Sequence, residues 1–95
     1  MEPLPVGGSV KTPVKIIDAR PVYPELARQT KSQGMVEVEI VVGPDGDVTH
    51  ARVIKSIPLL DRAALDAVRK WKYAPTIVNG VSVPVKFNVG LAFGL

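Results

Sequence analysis

The amino-acid sequence predicts a two-layer α+β domain with its elements in the order αββαβ, in which two helices pack on one face of a three-stranded antiparallel sheet. Three observations carry this prediction. Before Val42 the residues alternate, with Val36, Val38, Ile40 and Val42 in one phase and Glu37 and Glu39 in the other, the period-two pattern of a half-buried strand. Near the C-terminus Val81, Val83, Val85, Phe87, Val89, Leu91 and Phe93 alternate without a break against Ser82, Pro84, Lys86, Asn88, Gly90 and Ala92, a second and longer strand signal. Between the two, at about 100° per residue, Leu60, Ala63, Ala64, Ala67, Val68 and Trp71 fall in one arc opposite Arg62, Asp66, Arg69 and Lys70, the pattern of an amphipathic helix.

Taken in chain order, residues 1–14 carry Pro3, Pro5, Gly7, Gly8 and Pro13 among few apolar residues, the composition of an extended linker. They read as the end of a tether from a longer upstream chain, with the folded domain occupying residues 15–95. The first helix is expected at residues 24–33, opened by Pro24, whose missing N–H costs nothing at the first helical position, and stopped by Gly34. Leu26, Ala27 and Thr30 give it only a narrow apolar stripe, so it needs docking for stability. After the first strand, Gly43, Pro44, Asp45 and Gly46 form a turn that sends residues 48–56 back as a hairpin partner. There the phase slips, Val48 and His50 falling in one register and Ala51 and Val53 in the other, so a bulge or strong twist is expected near His50. Pro58 ends that strand, and Asp61 is placed to cap the second helix, which runs to about Trp71. Residues 72–78 are extended around Pro75, and Asn79 with Gly80 makes the turn into the last strand.

This order fixes a topology. If the second helix carries the chain back along the sheet, the last strand pairs antiparallel with the first, giving the strand order 2-1-3 and leaving the long last strand at an edge. Pro84 fits an edge, since proline cannot donate to a ladder, and Lys86 is the sole charge in residues 81–95. Edges are usually blunted. One reading has a neighbouring molecule, a dimer partner or the linker covering this edge; the other keeps it open to accept an extended peptide by strand addition.

Composition narrows the function. With 95 residues and 46% hydrophobic content the chain makes one compact domain, which excludes a two-domain enzyme and favours work at a surface over a deep cavity. A formal charge of +3 is too small to require a polyanion, and the absence of cysteine removes disulfides and thiolate metal sites while leaving the compartment open. No run approaches the roughly eighteen apolar residues of a membrane span, so direct membrane insertion is not expected. Trp71 and Tyr73 invite comparison with a base-stacking platform, but Trp71 lies on the helix's apolar arc, so core packing is expected and no nucleic acid. His50 has no second ligand at metal spacing, and Glu37 and Glu39 lie on a solvated face. No catalytic residue, metal or cofactor is therefore expected. Tyr23 has two compatible readings, a staple packed before the first helix and a border of a peptide groove.

Several strings together resemble a known family. They are Pro21, Val22, Tyr23, Pro24, Glu25, Leu26 and Ala27 before the first helix, Gly34 ahead of the valine-alternating strand, the Asp45 and Gly46 turn, and Lys70, Trp71, Lys72, Tyr73, Ala74 and Pro75 after the second helix. With the Asn79 and Gly80 turn and the strand beyond it, they are similar to the C-terminal domain of TonB, the energy transducer of Gram-negative envelopes, over residues 15–95. The resemblance implies a periplasmic domain whose parent is anchored in the inner membrane by an N-terminal helix and works with a proton-channel complex related to ExbB and ExbD. It implies capture of the TonB box of outer-membrane transporters by strand addition, and transmission of proton-motive force for uptake of nutrients such as iron chelates. By position, the peptide would pair with the edge at Val83, Val85, Lys86, Phe87, Asn88 and Val89 and lie close to Arg20, Pro21, Val22, Tyr23 and Pro24; well-known members carry glutamine at the place of Arg20. Two other expectations compete with this one: a TonB-like sensor or scaffold domain of a membrane regulator, and a homodimerisation module using the same edge.

Overall fold

The computed structural model describes residues 2–95; Met1, the first residue of the expected linker, lies outside the described residues. The fold is built on β3 (Gly34–Val42), which pairs antiparallel with β4 (Val48–Lys55) on one side and with β8 (Val85–Phe93) on the other. Its inward phase, Val36, Val38, Ile40 and Val42, is buried, as the alternation in the sequence requires. Helix α1 (Glu25–Gln29) brings Ala27 to this face, and α2 (Pro58–Val68) brings Leu60, Ala63, Ala64, Ala67 and Val68, so both helices share one core with the valine stripe. Helix α2 ends at Val68, short of the expected Trp71, yet Trp71 and Tyr73 beyond it close that core and are nearly inaccessible, at 6% and 3% exposure, so Trp71 is packed in the core as expected.

The sheet departs from the expected three strands. It has four, in the order β1-β8-β3-β4, because β1 (Leu4–Pro5), from the segment read as a linker, pairs parallel with the start of β8. The last strand is therefore an edge over only part of its length. Two small ribbons complete the fold: β2 (Lys15–Ile17) with β5 (Lys72–Tyr73), and β6 (Thr76–Val78) with β7 (Val81–Val83). The long C-terminal alternation is thus split at Pro84, with the part before it folding onto β6 and the part after it onto β3. Asn79 and Gly80, with φ of 50° and 79°, make the two-residue turn that their sequence announces.

Local chemistry explains the boundaries. The β3–β4 turn closes with Gly46 donating to Gly43 at 2.9 Å and Gly43 donating to Asp47 at 2.7 Å. Gly46 has φ of 94°, and a Cβ there would stand 2.0 Å from the Tyr73 carbonyl oxygen, so this position admits only glycine. Two positions later the ladder shifts register between Val41 and Val42, with Val41 opposite His50 and Val42 opposite Val48, which is the bulge expected near His50. Helix α1 stops earlier than expected. Lys31, not Gly34, takes the left-handed conformation at φ 56°, while Ser32 donates to Ala27 at 2.8 Å and Lys31 to Arg28 at 3.1 Å, the double bond of a Schellman ending. Gly34, with φ 135°, instead starts β3. Helix α2 begins at Pro58, three residues before the expected cap; Asp61 reaches back from the first turn, accepting the Ile57 N–H at 2.9 Å and the Ser56 hydroxyl.

Edge-to-face contacts link Trp71 to Tyr73, with centroids 6.5 Å apart, and Tyr73 to Phe87 at 5.4 Å, so an aromatic row runs from the exit of α2 to the last strand. Burial, with a smaller push from the Asp18 carboxylate, raises the Tyr73 phenol to about 12.

Three outcomes follow from this packing. Replacing Lys31→Gly relieves a strained left-handed lysine and should stabilise the fold by about 0.5–1 kcal/mol, read as a higher denaturant midpoint with an unchanged slope. Asp61→Ala should cost about 1 kcal/mol by the same measurement, whereas Asp61→Asn, which retains an acceptor, should cost less. In a Tyr23→Phe variant, whose one phenol is Tyr73, tyrosinate absorbance should rise at about 12 while circular dichroism remains native. Because the folded value lies above that of a free phenol near 10, the phenol's contribution to stability is complete below about pH 10 and is lost as pH climbs through about 12. A midpoint near 10 in folded protein contradicts this account.

Candidate functional site

Along β8, backbone groups alternate between its two neighbours. The carbonyls of Pro84 and Lys86 face outward and accept from Leu4 at 2.9 Å and Val6 at 3.1 Å. By the same alternation Asn88, Gly90 and Ala92 point their amides and carbonyls to the same side, and no strand pairs there among the described residues. The edge is therefore half closed and half open. Residues of the open half alternate on the ladder, with Phe87 and Val89 half-buried toward the core face and Lys86, Asn88, Gly90 and Ala92 exposed on the other.

A groove of about 700 Å³ lies where β1 ends. Its walls are Pro5, Val6, Thr12, Pro13 and Lys15 on one side and Lys86, Phe87, Asn88 and Val89 on the other, with Tyr73 and Glu39 also contributing. The apolar floor is the end of the aromatic row, Tyr73 against Phe87. Two lysines give the groove a basic character. The Lys15 ammonium stands 3.4 Å above the Trp71 ring centroid and pairs with Asp18 at 3.2 Å, while Lys86 has no carboxylate partner among the described residues. Glu39 is held by Arg52 at 3.1 Å, and Asn88 donates to Glu37 at 3.1 Å, which ties down the outer face of the ladder.

The sequence-derived residues separate into two groups. Lys86, Phe87, Asn88 and Val89 line the groove; Val85 is wholly buried, and Val83 ends β7 with its side chain in the interior. Arg20, Pro21, Val22 and Pro24 line a different groove of about 360 Å³, against Leu59, Arg62, Ala63, Asp66, Ala67 and Lys70 of α2 and the turn after it. Tyr23 turns the other way. Its hydroxyl donates to the Ser32 carbonyl and its ring meets Phe93 edge-to-face at 5.7 Å, so it serves as a packing staple at the far end of β8. The segment is fixed from below by the Trp71 indole, which donates to the Ala19 carbonyl at 2.9 Å. The groove residues that the sequence did not reveal are Pro5, Val6, Thr12, Pro13, Lys15, Glu39 and Tyr73. Only the β-branched pair Ile16 and Ile17, with Leu4 and Val6 two apart, hinted at extended chain there.

His50 is exposed beside Thr49, at 3.1 Å, and no cluster of potential metal ligands occurs among the described residues. No helix among them is long and apolar enough to cross a membrane.

With the fold and edge in view, comparison with known proteins is informative. Residues 19–95 match the family described as Gram-negative bacterial TonB protein C-terminal. Protein TonB of Xanthomonas campestris pv. campestris (strain B100) is 41% identical over 90 residues, covering 86% of this chain and 40% of that protein. Protein TonB of Vibrio cholerae serotype O1 is 32% identical over 78 residues, covering 80% of this chain and 32% of that protein. The chain thus spans 32% to 40% of the length of these relatives. The solution NMR structure of the Pseudomonas aeruginosa TonB CTD superposes with a TM-score of 0.64, covering 94% of this chain and 92% of that one at 24% identity, a likeness of fold. Because the family match runs from the segment anchored by Trp71 through both helices to the end of β8, this chain belongs to the TonB C-terminal family.

Proposed function

We propose that this domain captures an extended N-terminal segment of an outer-membrane transporter, its TonB box, by adding that segment as a strand along β8. The observation that carries this reading is the open stretch of the β8 edge at Asn88, Gly90 and Ala92, lying beside a groove with an aromatic floor. Backbone pairing supplies affinity without demanding one sequence, while alternate side chains of the incoming strand meet either Tyr73 and Phe87 or Lys86 and Asn88. A ladder of about five hydrogen bonds, each contributing about 0.5–1.5 kcal/mol net, supports micromolar and reversible capture after the costs of association. Such capture suits a transducer that must engage and release repeatedly.

In this reading the domain works in the periplasm and performs no catalysis. A parent protein anchored in the inner membrane, driven by an ExbB- and ExbD-like complex, delivers force through the chain ahead of the domain, and the paired strand passes it to the transporter for nutrient uptake. The segment from Arg20 to Pro24 contributes through its groove on α2 as a second contact for the transporter beyond the paired strand.

The test is an NMR titration of the 15N-labelled domain with synthetic peptides spanning the N-terminal segments of outer-membrane transporters from the same genome. At least one peptide should bind with micromolar Kd and shift the amides of Asn88, Gly90 and Ala92, and a proline at the centre of that peptide should weaken binding at least about tenfold. Binding that ignores the proline, or shifts confined to other elements, contradicts strand addition.

A further inference from the structure

The chain already contains a strand seated on the edge assigned to its partner. We propose that the segment Leu4–Pro5 with Val6 is a self-supplied stand-in for the captured peptide, closing the first rungs of the β8 edge until an incoming strand displaces it. This inference rests on the strand-addition reading and adds a regulation to it.

The seating is specific. Leu4 lies opposite Val85 and Pro5 opposite Lys86 in parallel register, and the Leu4 and Val6 amides donate to Pro84 and Lys86. Leu4 and Val6 also pack against the core from the edge. Pro5 sits between the two donors, so its nitrogen faces away from β8, where an ordinary residue would present an N–H to a further strand. A proline at that place makes β1 a terminator: it satisfies β8 and offers no donor of its own.

The seating is also easily undone. The pairing covers just Leu4 and Pro5, with the Val6 amide beyond them, and the chain leaves at once, with Gly7 at φ 143° and Gly8 at φ 56° and with Gly7 and Val10 exchanging hydrogen bonds of 2.7 and 2.9 Å. Where it leaves, the groove begins, with Pro5 and Val6 as its wall next to Lys86 and Asn88. An incoming strand that pairs only with Asn88, Gly90 and Ala92 binds beside β1, whereas one that continues to Lys86 and Pro84 must replace it. In cis the segment competes at an effective concentration near the millimolar range, so it blocks weak, non-specific extended chains and yields to a longer ladder. Replacement also frees residues ahead of Gly7, so capture of a partner changes how the upstream chain is held, and by linkage a pull on that chain favours capture.

The experiment uses the same transporter peptides with the chain as it stands, a Leu4→Pro/Val6→Pro variant that removes both amide donors, and a Lys11→Ala variant as control. The double variant should bind roughly three- to tenfold tighter, with peptide-induced shifts extending to Lys86, and Lys11→Ala, at an exposed position outside the groove, should match the unaltered chain. A second readout needs no variant. On saturation of the unaltered chain, the Leu4 and Val6 amides should move to unstructured positions and exchange rapidly with solvent. Equal affinity in the unaltered and double-proline chains, or Leu4 and Val6 amides that stay protected at saturation, overturns the displacement while leaving strand addition intact. Failure of every peptide to shift the β8 edge in either chain overturns both.

Discussion

Everything in this domain follows from the full-length pairing of β3 with β8. The two strands run antiparallel in unbroken register from Gly34 opposite Phe93 to Val42 opposite Val85, and β3 is flanked on its other side by β4. With both of its sides taken from Glu37 to Val42, β3 lies inside the sheet, and its valine face becomes the floor on which α1 and α2 pack. The consequence for β8 is the opposite. One side of its backbone is committed to β3 and the other has no long partner, which creates a candidate acceptor along an unbroken nine-pair ladder. Pro84 sharpens this by ending the strand, so the residues before it fold away with β6 and do not extend the edge.

Much of this was legible in the sequence because the period-two patterns are long. The buried phase of β3, the arc of α2, the Asn79 and Gly80 turn and the slip near His50 all follow from residue spacing. What could not be read has physical reasons. Two residues of β1 are too few to show a period, and Pro5 reads as a breaker because a proline cannot donate. That deficit is harmless on the outward side of an outermost strand, so the feature that argues against a strand is compatible with this one. The end of α1 went to Lys31 because the Schellman bonds from Ser32 and Lys31 close the helix before Gly34 is reached, and the glycine is needed at φ 135° to enter β3. The groove walls at Thr12, Pro13 and Lys15 come from a segment exposed on every residue of β2, which leaves no alternation to detect. The position of Arg20 to Pro24 against α2 depends on a hydrogen bond spanning 52 positions, from Trp71 to Ala19, and no local pattern encodes it.

The family match begins at residue 19, whereas β1 and four further residues of the groove wall, Val6, Thr12, Pro13 and Lys15, lie before it. On the proposed reading, the chain divides into a part that builds the acceptor and a part that modulates it. The first part depends on tight, residue-specific fits, such as Gly46 beneath the Tyr73 carbonyl. The second part is held by a handful of backbone bonds and half-buried side chains, so it can change without disturbing the core.

The direction of the long strands has a mechanical meaning. The domain is 50 Å long and about 20 Å across, and β3 and β8 each run nine residues. Hydrogen bonds of an antiparallel ladder lie perpendicular to the strands, so a load applied along β8 stresses the β3–β8 rungs in shear and together. A load applied across the strands would open them one after another from an end, at far lower force. A strand laid lengthwise on β8 therefore pulls on the domain in its stiff direction, and β1, paired over two residues, becomes the element that gives way first.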